Sequence, residues 1–362
     1  MKVVLWHNIL SLHQAAFIRA LAEMVPTSLV AERPQDEDWL RGLGKVPDMG
    51  RAETIIAPDS QQIDQLVRMP DAMHFVCGID FAFRREKLLK RLHRVGAKVA
   101  CYVEPYVWND GRGWQRRLKY CWLRMRYGKC LDALFVTGDT GRRCYRQVFF
   151  PESKLFDWGY FTVLPEGRSI GELSHDKPRI LFVGRLDANK NSLLLIRTFQ
   201  QLRLPATLTL IGDGRLRPEV EAQIAGDAAI SFLGLLPNDE VHRQLICHDI
   251  LVLPSHYDGW GAVVNEALQN GVRVVCSENC GAAVLLDDPV RGTVFSFRGA
   301  PSLAEALCAQ VTAGPQSPEA RQALMTWAAK HISGKAAAEY FLAVCAYLGG
   351  EVKTRPVAPW RG

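Results

Sequence analysis

Few of the patterns that settle a chemistry at sight are present in this 362-residue chain. No apolar run reaches the length of a membrane-spanning helix. The opening Met-Lys-Val-Val-Leu-Trp-His-Asn holds too short an apolar segment for a signal peptide, so it reads as a first strand. The ten cysteines include no C-x-x-C pair and mostly sit inside apolar runs. That points to buried free thiols in a reducing compartment, against zinc or disulfides. No Ser/His/Asp pattern stands out, no RNA- or DNA-binding module is visible, and no internal repeat can be found. Gly212-Asp-Gly214 looks like a fragment of a dinucleotide fingerprint but lacks its third glycine, which leaves a NAD-dependent oxidoreductase the weakest reading. Asp287-Asp288 is not an Asp-x-Asp metal motif and reads as a helix end.

What is present is a rhythm of short apolar runs and helical patterns, the mark of βα units, over a length that suits two domains. In the first half the candidate strands are Val3–Trp6, Thr27–Val30, Thr54–Ile56, His74–Cys77, Lys98–Val103, Ala133–Val136 and Lys154–Trp158. The polar stretch 31–52 reads as exposed loop and short helix. Residues 164–178, rich in turn formers, read as an interdomain linker. The pattern restarts at Arg179–Val183 and continues through 207–211, 230–234, 250–253, 273–276 and 291–297, with late helices at 302–312, 317–331 and 333–348. Thr137 or Asp139, and Asn238 or Asp239, are plausible helix caps.

Residues 250–271 are the most informative stretch. Ile250–Leu253 is a buried strand, stopped by Pro254 and Ser255; a loop bearing Gly259 and Gly261 follows, then a helical pattern ending at Gly271. A helix start exposes unpaired N–H groups and the positive end of a dipole, so it attracts phosphate, and glycine lets a ligand approach the backbone. Glu266 lies too far along to cap that helix; a carboxylate there can accept two hydrogen bonds from a vicinal diol such as a ribose. Asp258 stands eight residues earlier. This spacing resembles the acidic-x7-acidic signature of the retaining glycosyltransferases of family 4, with Asp258 where the family usually has glutamate. A second element, Gly184-Arg185 to Lys190, resembles the family's Gly-Arg…Lys motif, in which a planar fork and a compact charge hold the donor diphosphate.

The resemblance implies an α/β protein of GT-B fold, two Rossmann-like domains facing each other across a cleft. Residues 1–165 would bind the acceptor and residues 166–339 the donor, with the C-terminal helix, about 340–362, packed back on the first. It implies a metal-independent hexosyltransferase, with front-face transfer from a nucleotide sugar and no cofactor. UDP-sugar is favoured over GDP-sugar. Catalytic roles fall to Arg185, Lys190, Asp258 and Glu266, with Asp258 on the sugar hydroxyls and Glu266 on the ribose. Donor contacts fall to Gly184, Gly212, Gly234, Leu235, Gly259, Trp260, Gly261 and Ala262. The variant Tyr-Asp-Gly-Trp-Gly resembles transferases of bacterial surface-polysaccharide and lipopolysaccharide assembly, so the expected acceptor is a glycan or lipid-linked glycan. A sugar-nucleotide epimerase of similar architecture and an inactive nucleotide-binding scaffold are the rival readings.

In the first half, the loop after the first strand brings His7, Asn8, His13 and Gln14 toward the strand ends, where α/β sheets bind ligands. His13 is a cleft candidate there. Glu104, after the strand 98–103, is the other: either a buried carboxylate with a raised pKa acting on the acceptor, or a loop carboxylate paired with an arginine. The net charge of +6 concentrates in 84–94 and 112–129, the second of which also holds Trp114, Tyr120, Trp122 and Tyr127. Basic residues beside aromatics fit an anionic membrane surface or acidic acceptor; they equally fit solvated helices with aromatics turned inward. The expected location is cytoplasmic, with peripheral contact at the inner face of the membrane and no nucleic-acid partner.

Overall fold

The computed structural model describes residues 1–33, 47–79, 81–163 and 175–362. Residues 34–46 of the expected loop region and 164–174 of the expected linker, and with them the expected boundary at 165, lie outside the described residues. The chain forms two compact units, Met1–Val163 with His331–Gly362, and Leu164–Lys330. All ten cysteines are free.

The first unit is built on a seven-stranded parallel sheet: β1 (Lys2–His7), β2 (Thr27–Ala31), β3 (Glu53–Ile56), β4 (Ala72–Cys77), β5 (Lys98–Val103), β6 (Ala133–Thr137) and β7 (Leu155–Trp158). Their order is β3-β2-β1-β4-β5-β6-β7. The central strands are buried along their length, as parallel strands covered on both faces must be, and this is why they read as unbroken apolar runs. One face packs on residues such as Leu92, Cys101, Leu134 and Tyr145. Over Phe75 and Phe135 lies an aromatic cluster of Phe17, Trp158 and Phe341, with ring centroids 4.8–6.4 Å apart. Phe341 comes from the C-terminal helix Gly334–Gly349, which lies against the helix Leu12–Met24. Gly334 permits that approach: a Cβ there would sit 2.1 Å from the Ala16 carbonyl oxygen. The last residues fasten the same unit, with Trp360 buried beside Phe161 and Arg355 stacked over Phe156.

The second unit carries six parallel strands: β8 (Arg179–Val183), β9 (Thr207–Ile211), β10 (Ile230–Phe232), β11 (Ile250–Leu253), β12 (Arg273–Ser277) and β13 (Gly292–Phe295), ordered β10-β9-β8-β11-β12-β13. The order reverses direction between β8 and β11, the two strands that carry the informative motifs. In a doubly wound sheet the crevice beyond strand ends at such a reversal is where ligands bind.

Capping departs from expectation. The helix Asn238–Ile246 starts from Pro237, so neither Asn238 nor Asp239 stands at its cap. Thr137 occupies the cap position of Gly138–Gln147 without a side-chain capping bond, and Asp139 pairs with Arg361 instead.

Candidate active site

Beyond β8, the chain turns through Gly184 to Asn191 into the helix Ser192–Leu202. Beyond β11, it turns through Pro254 to Gly261 into the helix Ala262–Gln269. Three contacts tie these loops together. The Asn189 carbonyl accepts from His256 N–H at 2.8 Å. The Asn189 side chain donates to the Tyr257 carbonyl at 2.9 Å. Lys190 Nζ meets Asp258 Oδ2 at 2.5 Å.

Each partner of that ion pair is fixed locally. The Lys190 backbone N–H donates to Asp187 Oδ1 at 2.8 Å, and the lysine stem passes over Gly184, where a Cβ would lie 3.7 Å from its Cγ and Cδ. Asp258 is held by its N–H on the Asn279 carbonyl and by Gly281 N–H on its own carbonyl. Its Oδ1 accepts from Trp260 N–H at 3.3 Å. The pair is largely withdrawn from water, with side-chain exposures of 20% and 14%. Arg185 differs: its side chain is 76% exposed and lies 3.6 Å from Asp187. The structure therefore joins Lys190, Asp187 and Asp258 into one network, with Arg185 at its rim.

Glu266 shares no hydrogen bond or ion pair with that network among the described residues. It is buried one turn and more into its helix, and burial pushes its carboxyl up to about 7, opposed by a hydrogen bond with Asn238. Ala262 and Val263 open the same helix, so their N–H groups have no intrahelical partner and face the loop end. Gly261 stands at the cap with φ of 91°. Trp260 is turned inward: its indole is buried and donates to Asn265 Oδ1 at 2.7 Å, so it offers a ligand no ring face. Gly184, Gly212 and Gly234 stand in a row across neighbouring strand ends, linked by Gly184 N–H to the Ile211 carbonyl and Gly212 N–H to the Gly234 carbonyl. Gly212 is there for close packing, since a Cβ would fall 1.9 Å from the Gly184 carbonyl oxygen. Beside Gly234, Leu235 is exposed. Gly259 lies in the loop between Asp258 and Trp260.

In the first unit the structure brings His13 and Glu104 to one place through a residue the sequence reading passed over. His13 stacks on Tyr160 at 5.0 Å and 4°, and the Tyr160 hydroxyl donates to Glu104 Oε1. Glu104 is exposed, which corrects the expectation of a buried carboxylate, and it accepts a hydrogen bond from a tyrosine. His7 and Gln14 are buried. Burial holds the His7 imidazole down at about 4, so it stays neutral beside the Tyr102 hydroxyl. Among the described residues no cluster of three or more His, Cys, Asp or Glu side chains could hold a metal ion.

Fold and strand-end geometry together define the GT-B architecture of glycosyltransferases. Within it, residues 177–312 match the family described as Glycosyl transferases group 1. Among curated relatives, the sulfoquinovosyl transferase SQD2 of Arabidopsis thaliana is 32% identical over 34% of this chain and 24% of its own length. An N-acetylgalactosaminyltransferase of Campylobacter jejuni, whose name gives a diphospho-undecaprenol-linked sugar as its acceptor, is 29% identical over 35% of this chain and 36% of its own. The chain thus spans a quarter to about a third of these two relatives. The crystal structure of Anabaena Alr3699/HepE in complex with UDP superposes with a TM-score of 0.66, covering 96% of this chain and all of that one at 13% identity, a likeness of fold.

Proposed function

We propose that this protein is a retaining glycosyltransferase that moves a hexose from a UDP-sugar to a glycan or lipid-linked glycan in surface-polysaccharide assembly. The observation that carries the reading is the joining of the Lys190 loop to the Asp258 loop, beside an unpaired helix start, at the reversal point of the second sheet. In this reading Lys190, Arg185 and the N–H groups of Ala262 and Val263 hold the diphosphate, and Glu266 the ribose diol. In the transfer, the bond from the anomeric carbon to the diphosphate oxygen breaks while the acceptor oxygen bonds to the same carbon from the same face. The acceptor proton passes to the departing phosphate. Fixed cations carry the developing charge, so no metal ion is required. The match of 177–312 to group 1 glycosyl transferases, a neighbour solved with UDP and a relative named for a lipid-linked acceptor support this reading.

The test is stabilisation by UDP and UDP-sugars, where ligand at about a hundred times its Kd adds about 2.7 kcal/mol, followed by the anomeric configuration of the product. Lys190→Ala should lower kcat by about a hundred- to a thousandfold, or about 3–4 kcal/mol, by analogy with the loss of an oxyanion donor. Turnover should survive EDTA. Wild-type rates in Lys190→Ala would end this assignment; a new sugar nucleotide formed without acceptor would reveal an epimerase, and binding without turnover a scaffold.

Peripheral contact with an anionic membrane belongs to the same proposal. The helix Gly113–Tyr127 carries Arg116, Arg117, Lys119, Arg124 and Arg126 and no acidic residue. Trp114, Leu118, Trp122 and Met125, spaced four, four and three apart, form an exposed stripe along it, and exposed Phe149 stands beside Arg124. Tyr120 and Tyr127 turn into the core. Two of the four aromatics are thus exposed on the helix and two turn inward. Apolar side chains among cations on one surface complement an anionic interface. Flotation with phosphatidylglycerol vesicles should retain the protein, phosphatidylcholine alone should not, and Trp114→Ser with Trp122→Ser should release it. Equal binding to both vesicles, or none, refutes the surface.

A further inference from the structure

We infer that Asp258 is the internal counter-ion of Lys190, competing with the diphosphate for the lysine's ammonium rather than serving first as a contact to the transferred sugar. The inference rests on the reading of Lys190 as a diphosphate ligand, and three observations carry it.

Both carboxylate oxygens of Asp258 are engaged within the protein. Oδ2 meets Lys190 Nζ at 2.5 Å and Oδ1 accepts from Trp260 N–H at 3.3 Å. Among the described residues, the ammonium of Lys190 has no other hydrogen-bond partner. Its cationic neighbour in the motif, Arg185, is solvent-exposed, and among the described residues its ion-pair partner is Asp187, not Asp258.

The pair is also mostly dehydrated, with side-chain exposures of 20% and 14%. An ammonium withdrawn from water needs an anion, and here the chain supplies one. The aspartate reaches the lysine because its backbone is locked between Asn279 and Gly281 on one side while the lysine stem is laid over Gly184 on the other. A diphosphate that takes up Lys190 must therefore share or displace Asp258, and a carboxylate so placed repels the arriving charge. The consequence is weaker retention of nucleoside diphosphate, including the diphosphate released after transfer.

The experiment is a double-mutant cycle on the affinity for UDP, which has no sugar. Asp258→Asn keeps the Oδ1 acceptor for Trp260 N–H and removes the charge. UDP should bind the variant about fivefold or more tightly than it binds the wild type, and the gain should fall below about twofold in a Lys190→Met background, since the two residues act as a pair. Asp258→Glu, which restores the charge, should return the affinity toward the wild-type value, an outcome that a purely structural role would not give. A direct sugar contact instead leaves the UDP affinity unchanged and alters only kcat and KM for the UDP-sugar. An unchanged or weakened affinity in Asp258→Asn, or the same gain with and without Lys190, overturns the inference. Wild-type protein that binds no UDP overturns the underlying site reading instead. Matching melting temperatures for the variants confirm that folding is not what changed.

Discussion

Glu266 shows how far a single residue can be read from spacing and where that reading stops. Its interval from Asp258 is plain in the sequence, and the interval marks both as candidate site residues. Its burial and its bond with Asn238 depend on a helix start 28 residues upstream, which no local pattern reports. Burial makes the residue a pH-dependent liability. Its carboxyl lies at about 7 in the fold against 4.5 for an exposed glutamate, so the folded state binds the proton more tightly. Stability is then intact below about pH 4.5 and falls as pH rises through 7, by about 3 kcal/mol in all. Glu266→Gln should therefore be nearly neutral for stability at about pH 4 and stabilising by up to about 3 kcal/mol at pH 8. Denaturant midpoints at the two pH values decide it, and an equal effect at both would contradict the burial argument. The same variant should lose UDP affinity at pH 8, where the ionised carboxylate is the better acceptor for a diol. The staple formed by Asn189 and the stacking of Tyr160 on His13 were equally silent in the sequence, because each is a contact between distant stretches of chain.

At the level of the element, strands were the legible part. Each of the seven in the first sheet falls within about two residues of its expected run, and for the central strands the reason is that a parallel strand buried on both faces has few alternatives. Helix starts were less legible. Residues with capping side chains abound near them, yet Asn238 spends its side chain on Glu266 and Asp139 on Arg361. Glycines are a third case: the sequence marks Gly212 as a ligand neighbour, while the structure gives it a packing duty as well. A Cβ there would meet the Gly184 carbonyl oxygen at 1.9 Å, and its φ of 142° is foreign to alanine. Gly212→Ala should cost on the order of 3 kcal/mol and push Gly184 away from the Lys190 stem, so UDP affinity should fall along with the melting temperature. Gly226, with φ of 79° and nothing within 4 Å of a Cβ, is the control. Gly226→Ala carries the backbone strain without the collision, so it should cost about 1 kcal/mol and leave UDP binding alone. If both variants bind UDP like the wild type, Gly212 does not shape the site.

For the whole molecule, two cores imply two addresses at which a perturbation is felt. The first unit closes its aromatic layer with residues from the far end of the chain: Phe341 on Phe75, Trp360 beside Phe161, and Arg355 over Phe156. No periodicity could have shown this, since the partners lie about 200 residues or more apart in sequence. Trp360 is 4% exposed, and truncating a buried tryptophan costs about 3–5 kcal/mol. Hydrogen exchange should then locate the loss. In Trp360→Ala, amides of β7 and of the helix Gly334–Gly349 should lose protection, because their shared layer has been opened. UDP should act elsewhere, slowing exchange in 184–191 and 255–266 through the diphosphate and ribose contacts proposed above. Protection gained by UDP in those segments should persist in Trp360→Ala, since the aromatic layer is built from residues of the first unit. Were the tryptophan variant to lose UDP protection at the Lys190 and Asp258 loops while remaining folded, the nucleotide site would have to draw on the first unit as well, and the account of a donor site complete within 177–312 would give way to one that spans more of the chain.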